Sequence, residues 1–142
     1  MTPQRITMIT LAVADLERSR AFYSALGWVE AEGGQDTIAF YKIAGQFFAL
    51  YDKNALTKDL GLPIHERSTG TITLATNYNS PKDVDQAFTD AIAAGAIAIT
   101  KPNKVFWGGY SGNFADPDGH LWEVAHNPFW TLDKNGQIIG DA

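Results

Sequence analysis

The feature that most constrains the fold is a pattern that occurs twice. Residues 6–13, "ITMITLAV", alternate in side-chain type, which is typical of a β-strand with two different faces. Asp15 then offers a helix N-cap, and apolar residues recur at helical spacing from about Leu16 to Leu26, before Gly27. Three strand-like runs follow, "WVEAEG", "DTIAFYKIAG" and "QFFALYDK". The order of the first half is therefore predicted to be βαβββ.

The same order returns in the second half. "TITLATNY" repeats "MITLAVAD", with isoleucine and leucine on one face and threonine and alanine on the other. Ser80 and Pro81 suit a helix N-cap and first helical position, and an apolar stripe at helical spacing continues from Val84 to Ile92, before Gly95. The runs "AIAITKP", "YSGNFAD" and "HLWEVAH" supply three more strands. Such self-similarity predicts a fold built by duplicating one unit.

The duplication predicts the organisation of the chain. Module 1 covers about residues 5–53, a polar connecting loop residues 54–70, module 2 about residues 71–127, and a C-terminal extension residues 128–142. A chain of 142 residues fits a single domain with a substantial core. We expect one domain over residues 1–142.

Composition excludes several classes of function. The formal net charge is −5 with no basic cluster, so we expect no nucleic-acid partner. No cysteine is present, which excludes disulfides, thiolate metal sites and a catalytic thiol. The beginning, "MTPQRITMITLAV", is too polar for a signal peptide, and no stretch is long enough to span a bilayer. We expect a cytoplasmic protein with no membrane partner.

Glu123 is the residue that most suggests a function. It lies inside a strand-like run between Trp122 and Val124, where an unpaired charge is costly. Alternation puts Leu121, Glu123 and Ala125 on one side of this strand. The opening strands likewise have one face of small or polar residues, namely Met8, Thr10 and Ala12 in the first and Thr71, Thr73 and Ala75 in the second. These faces are predicted to line a cavity that includes Glu123.

The chain resembles the vicinal oxygen chelate superfamily, which includes glyoxalases, bleomycin-resistance proteins and dioxygenases. "ITLAVADLERSRAFYSALGW" is similar to the signature of its first module, and "FADPDGHLWEV" is similar to its closing signature. The resemblance implies an α+β fold of two βαβββ modules that form an open, cup-shaped, mixed β-sheet barrel with the helices outside. It also implies a ligand site inside the cup.

The resemblance implies four metal-ligand positions on the inner face of the cup. They fall on Met8, about Ala49, about Thr71 and Glu123. One carboxylate with a thioether and a hydroxyl is a poor site for a divalent ion, so we expect no metal and no other cofactor, with Glu123 the only matching ligand position. His120 and His126 lie an odd number of residues from Glu123 and should point to the other face, while His65 is expected in a solvated loop. The segment "DPDG" is expected to be a tight turn rather than part of a calcium loop.

A ligand in the cup would contact side chains from both modules. Besides Glu123, the predicted binding residues are Met8, Thr10, Phe47, Ala49, Tyr51, Thr71, Thr73, Trp107, Tyr110 and Leu121. Phe114 and Trp122 are predicted to be core residues instead. Two roles for Glu123 stay open: it accepts hydrogen bonds from Thr10, Thr71, Thr73 or Tyr110, or desolvation makes it a general base or acid.

The leading hypothesis is a small-molecule-binding protein of the glyoxalase and bleomycin-resistance type that holds an organic ligand in the cup without a metal. The alternative is a metal-dependent lyase, isomerase or dioxygenase that uses Glu123 and atypical ligands. A third hypothesis is an interaction module whose cup is vestigial. Whether the protein is an enzyme stays open. We also expect a homodimer, because the aromatic C-terminal extension needs a surface to cover.

Overall fold

The computed structural model describes residues 2–62 and 72–141, and at position 141 only the backbone. The chain divides into two compact units, residues 1–67 and 68–142, with the boundary inside the predicted connecting segment. Each unit contains a mixed β-sheet and at least one helix, which confirms the predicted α+β class. None of the helices in the described part combines the length and apolar character that a bilayer span requires.

Unit 1 is a three-stranded sheet with two helices. Its elements are β1 (Met8–Val13), α1 (Leu16–Ala25), β2 (Ile38–Ile43), β3 (Gln46–Asp52) and α2 (Lys53–Leu60). The strand order is β1-β3-β2, with β1 parallel and β2 antiparallel to β3. Helix α1 packs on one face of the sheet, where the rings of Tyr23 and Phe48 lie 5.4 Å apart and are fully buried. Aromatic rings therefore form much of this core.

The start of α1 follows from its capping residue. The Asp15 carboxylate accepts a hydrogen bond from the backbone N–H of Arg18, which satisfies one of the free donors of the first turn. The helix ends at Ala25, one residue before the predicted end. Gly27 follows with φ +92°, a conformation that glycine adopts without strain.

The predicted strand "WVEAEG" is wrong, because this segment forms only an isolated bridge between Glu30 and Tyr41. The Ala31 N–H donates a backbone hydrogen bond to the Phe40 carbonyl oxygen at 2.7 Å, and a side chain holds the segment in addition. Arg20 of α1 donates from Nε to Glu30 Oε1 at 3.0 Å and from Nη2 to the carbonyl oxygen of Gln35 at 2.9 Å. It also donates to the carbonyl oxygen of Ile38 at the start of β2. Arg20 thus adds charge-assisted hydrogen bonds to the few backbone hydrogen bonds of this segment.

The predicted loop over residues 54–70 is also wrong in its first part, which is helix α2. Asp52 caps this helix, accepting hydrogen bonds from the backbone N–H groups of Asn54 and Ala55. Gly61 ends it in the left-handed conformation at φ 69°. The sequence carried this signal, an aspartate before and a glycine after a short run that includes Leu56. Residues 63–71 lie outside the described part of the chain.

Unit 2 has the predicted βαβββ order, followed by a hairpin. Its elements are β4 (Thr73–Asn77), α3 (Pro81–Ala93), β5 (Ile97–Lys104), β6 (Tyr110–Ala115), β7 (Leu121–His126), β8 (Trp130–Leu132) and β9 (Ile138–Asp141). The larger sheet has the order β4-β7-β6-β5, with β4 parallel to β7 and the other pairs antiparallel. Ser80 caps α3 through a hydrogen bond from the N–H of Asp83, as predicted for this position. Strands β8 and β9 form a separate two-stranded sheet.

The core of unit 2 lies between α3 and the sheet. Val84 and Ala91 of α3 are buried, and the rings of Phe114 and Trp122 stack at 6.5 Å with an interplanar angle of 10°. Phe114 is 5% and Trp122 is 8% exposed, which confirms that both are core residues. Burial of these apolar side chains stabilises the packing of α3 on the sheet.

Candidate functional site

Helix α3 covers one face of the unit 2 sheet. The Tyr110 hydroxyl donates a hydrogen bond to Asp85 of α3 at 2.6 Å, so the side of β6 that carries Tyr110 and Phe114 faces this helix. Glu123 is paired with Ala75 on β4 and with Asn113 on β6. These residues alternate with the helix-facing ones and therefore point away from α3, to the side that we call the open face of unit 2 because this helix does not cover it. Thr73 and Leu121, also predicted site residues, form a pair on the same face.

Glu123 is the only carboxylate that the register of the described strands places on the open face of unit 2. Its side chain is half-buried, and the described residues give it no hydrogen-bond or ion-pair partner. Of the expected donors, Thr71 lies outside the described residues and Tyr110 donates to Asp85 instead. The carboxylate is thus held by a central strand and is accessible to another molecule.

Tyr110 lies on the helix side of its strand, away from Glu123. The hydrogen bond to Asp85 raises the pKa of the phenol, with smaller contributions from burial and from the negative charge of Asp85. The predicted hydrogen bond from Tyr110 to Glu123 is therefore not made. A role for Tyr110 in ligand binding stays a prediction, and it would have to act from the opposite face of the sheet.

Trp107 lies in the turn between β5 and β6. This turn is closed by hydrogen bonds from the Val105 N–H to the Gly109 carbonyl and from the Gly108 N–H to the Val105 carbonyl. The indole folds directly over Gly109, where an added Cβ would come within 1.9 Å of the ring. The ring is still 39% exposed, so its predicted contact with a ligand stays a prediction.

The predicted residues of unit 1 also share one face of their sheet. Met8 pairs with Phe47, Thr10 pairs with Ala49, and Tyr51 lies on the same side, opposite the α1 face. This agrees with the predicted alternation. Exposure varies along the face, from 46% at Met8 to 0% at Ala49, so Ala49 offers no accessible surface.

Tyr51 is engaged by the helix that the sequence analysis missed. Its hydroxyl donates a hydrogen bond to Asp59 of α2, which places this helix on the side of β3 that carries Tyr51. The hydrogen bond raises the pKa of the Tyr51 phenol, with smaller contributions from burial and from the charges of Asp59 and Asp52. A ligand could reach the Tyr51 hydroxyl only by sharing it with Asp59.

Unit 1 also has a surface groove that the sequence did not indicate. The groove has a volume of about 800 Å³ and is lined by residues that include Trp28, Glu30, Tyr41, Lys42 and Phe47. It forms where the missing strand leaves the edge of β2 uncovered by a full ladder. Phe47 is the one predicted site residue that reaches it.

The histidines do not join Glu123, as far as the described residues show. The Nδ1 atom of His126 lies 2.9 Å from the carbonyl oxygen of Tyr78, and His126 pairs with Tyr110 on the helix side. His120 lies in the turn before β7, where its backbone N–H donates to Asp116 Oδ1 at 2.9 Å. His65 lies outside the described residues.

The segment "DPDG" is a tight turn, as predicted. The Gly119 N–H donates to the carbonyl oxygen of Asp116 at 3.0 Å, and Asp116 Oδ1 accepts the backbone N–H groups of Asp118 and His120. Asp116 is only 1% exposed. Its carboxylate thus holds the turn that leads into β7, the strand of Glu123.

The sequence model of the Glyoxalase/Bleomycin resistance protein/Dioxygenase superfamily matches residues 5–124. The chain belongs to this superfamily. The resemblance seen in the two signature motifs is thereby confirmed. No curated protein matches the chain at a significant level.

Solved structures of the superfamily share the fold. A glyoxalase-related enzyme from Fulvimarina pelagi is 33% identical, with a TM-score of 0.90, and the match covers 99% of this chain and 100% of that one. A glyoxalase/bleomycin resistance protein/dioxygenase from Nocardioides is 27% identical, with a TM-score of 0.76 and coverage of 89% and 85%. A lactoylglutathione lyase from Agrobacterium tumefaciens, 23% identical with a TM-score of 0.69 and coverage of 93% and 100%, shows likeness of fold alone.

The residues at the metal positions implied by the superfamily do not suit a metal. In unit 1 these positions hold the thioether of Met8 and the methyl group of Ala49, and in unit 2 the described one is Glu123. Nowhere in residues 2–62 and 72–141 do three histidine, aspartate or glutamate side chains come together as ligands. A divalent ion needs several such donors, and the described side chains at these positions supply one.

Proposed function

We propose that this member of the superfamily binds a small organic molecule through Glu123 and does so without a divalent metal. The observation that carries the proposal is the environment of the Glu123 side chain. It is half-buried on a central strand, and no described residue pairs with it. A carboxylate in this setting gains most from a ligand that donates a hydrogen bond or carries a positive charge.

Thermal stabilisation tests the binding proposal. A library of metabolites and drugs is screened for compounds that raise the melting temperature, since a ligand that binds only the folded state stabilises it by mass action. The hits are then measured against Glu123→Gln, which removes the charge and keeps the shape of the side chain. We expect weaker binding by about tenfold or more, the loss of one charge-assisted hydrogen bond.

Asp36→Asn is the matched control, because it also replaces a carboxylate by an amide, at an exposed position of unit 1 outside the groove. It should bind the hits like the wild type. Equal binding of every hit by the wild type and by Glu123→Gln would refute the role of Glu123. Turnover of a hit by the wild type, lost in Glu123→Gln, would show that the carboxylate acts as a general base or acid.

The absence of a metal has its own test. Elemental analysis of the purified protein, before and after incubation with zinc, nickel, manganese and iron salts, should find less than stoichiometric metal. A stoichiometric ion that survives dialysis, and whose loss abolishes ligand binding, would favour the metal-dependent lyase, isomerase or dioxygenase instead.

Homodimer formation and a cytoplasmic location belong to the same proposal. The hairpin β8–β9 supports a dimer, because Trp130, Ile138 and Ile139 are 39%, 52% and 66% exposed and a two-stranded hairpin gains stability from packing. Sedimentation at micromolar concentration should give a dimer, and a monomer under these conditions would contradict the expectation. Cell fractionation tests the location.

A further inference from the structure

The pairing of β5 with β6 is irregular next to Glu123. Ala98 pairs with Phe114, but Asn113 pairs with Thr100, so the two strands shift by one residue between these pairs. An uninterrupted register would place Ile99 opposite Asn113. The bulge therefore puts a hydroxyl side chain at a position that an isoleucine would otherwise take. Bulges of this kind often occur beside functional sites, where they redirect a side chain.

The bulge completes a row of side chains across the four strands of the sheet. The row consists of Ala75, Glu123, Asn113 and Thr100, one residue from each strand. Neighbours in such a row have Cβ atoms about 5 Å apart. The next row, which faces α3, consists of Leu74, Trp122, Phe114 and Ala98 and is apolar. Of these two rows, only the one on the open face of unit 2 carries polar side chains.

Asn113 is in the same condition as Glu123. It is half-buried, and the described residues give its side-chain amide no hydrogen-bond partner. A carboxylate offers only acceptors, whereas an asparagine amide offers both donors and an acceptor, and a threonine hydroxyl offers both. The row therefore presents an acceptor at Glu123 and, one strand away, a donor at Asn113.

We infer that Asn113, with Thr100 beside it, is a ligand-binding and specificity-determining residue, and that the ligand is an amide or urea. The N–H of such a group would donate to Glu123, and its carbonyl oxygen would accept from the Asn113 side chain. A carboxylic acid of the same shape would be rejected, because it brings a second negative charge against Glu123 and has no N–H to donate. The inference rests on the proposed role of Glu123.

Binding of matched fragments tests the inference. Benzamide, phenylurea and benzoate are titrated into isotope-labelled protein, and the backbone amide shifts are followed by NMR. Benzamide and phenylurea should shift the signals of Glu123 and Asn113, with benzoate binding at least about tenfold more weakly. Asn113→Asp should weaken benzamide binding by about tenfold, the loss of one good hydrogen bond. Asn113→Ser keeps a hydrogen-bond donor on a shorter side chain, so its affinity for benzamide should lie between those of the wild type and Asn113→Asp.

Asn79→Asp is the control, because it adds the same charge at an exposed loop position of unit 2. It should bind the fragments like the wild type. Unchanged binding by Asn113→Asp and Asn113→Ser, with loss in Glu123→Gln, would overturn the role of Asn113 and leave the proposed function standing. If benzoate bound as tightly as benzamide, or if no fragment shifted the signals of the open face, the assignment of an amide or urea ligand would be overturned. If the library hits also bound Glu123→Gln as tightly as the wild type, the proposed function itself would be refuted.

Discussion

Replacement of Asp116 by alanine tests how the strand of Glu123 is positioned. Asp116 Oδ1 accepts two backbone hydrogen bonds, from Asp118 at 3.0 Å and from His120 at 2.9 Å, and the side chain is 1% exposed. Each hydrogen bond to a buried charged group contributes about 1.5 to 3 kcal/mol. Partial access of water to the two freed N–H groups favours the lower end. Asp116→Ala should therefore reduce the free energy of unfolding by about 3 kcal/mol.

Urea unfolding followed by tryptophan fluorescence measures this change, and it should also lower the melting temperature by roughly 6 to 12 °C. Asp116→Asn keeps one oxygen acceptor and loses the charge, so it should cost only about 1 kcal/mol. Hydrogen exchange of the His120 amide should quicken in Asp116→Ala and hardly change in Asp116→Asn. If Asp116→Ala were as stable as Asp116→Asn, the carboxylate would not be what holds the turn.

Three further results are expected from the structure. Gly112→Ala should destabilise the fold by about 1 to 3 kcal/mol, measured by urea unfolding, because its Cβ would lie 2.9 Å from the Pro102 ring across the strand pair. Arg20→Gln should quicken hydrogen exchange of the Ala31 amide by about tenfold, since the guanidinium fixes the chain between α1 and β2. Burial raises the pKa of the Tyr78 phenol. The contribution of Tyr78 to stability should therefore be complete below about pH 10 and be lost as the pH rises through the pKa of the folded state. Tyr78→Phe should make that alkaline loss shallower in urea titrations at several pH values.

Local signals in the sequence were sufficient for most single elements. Asp15 and Ser80 cap their helices as predicted, because a cap depends on a side chain and the backbone two or three residues away. The turn at Asp116 was predicted for the same reason. The helix α2 had a comparable signal in Asp52 and Gly61, but the polar composition between them suggested a loop.

Pairing between strands was harder to predict. The position of Asn113 beside Glu123 was not predicted. The turn at Asp116 could have indicated it, since the register of a hairpin follows from its turn. Thr100 had no such signal, because its place opposite Asn113 depends on a bulge in the neighbouring strand. Tyr110 had no such signal either, because its side of the sheet is shown by its hydrogen bond to Asp85 of α3, which is distant in the sequence.

The sequence by itself determined the superfamily, the α+β class, the βαβββ order of unit 2 and the face of β7 that carries Glu123, because these depend on motifs, local bonds and strict alternation along one strand. Only the tertiary structure decided which residues stand beside Glu123 and which tyrosine hydroxyls are already bonded to Asp59 and Asp85. Neighbours across a sheet or beneath a helix come from distant parts of the chain, and their identity is set by packing and register, which no local pattern encodes.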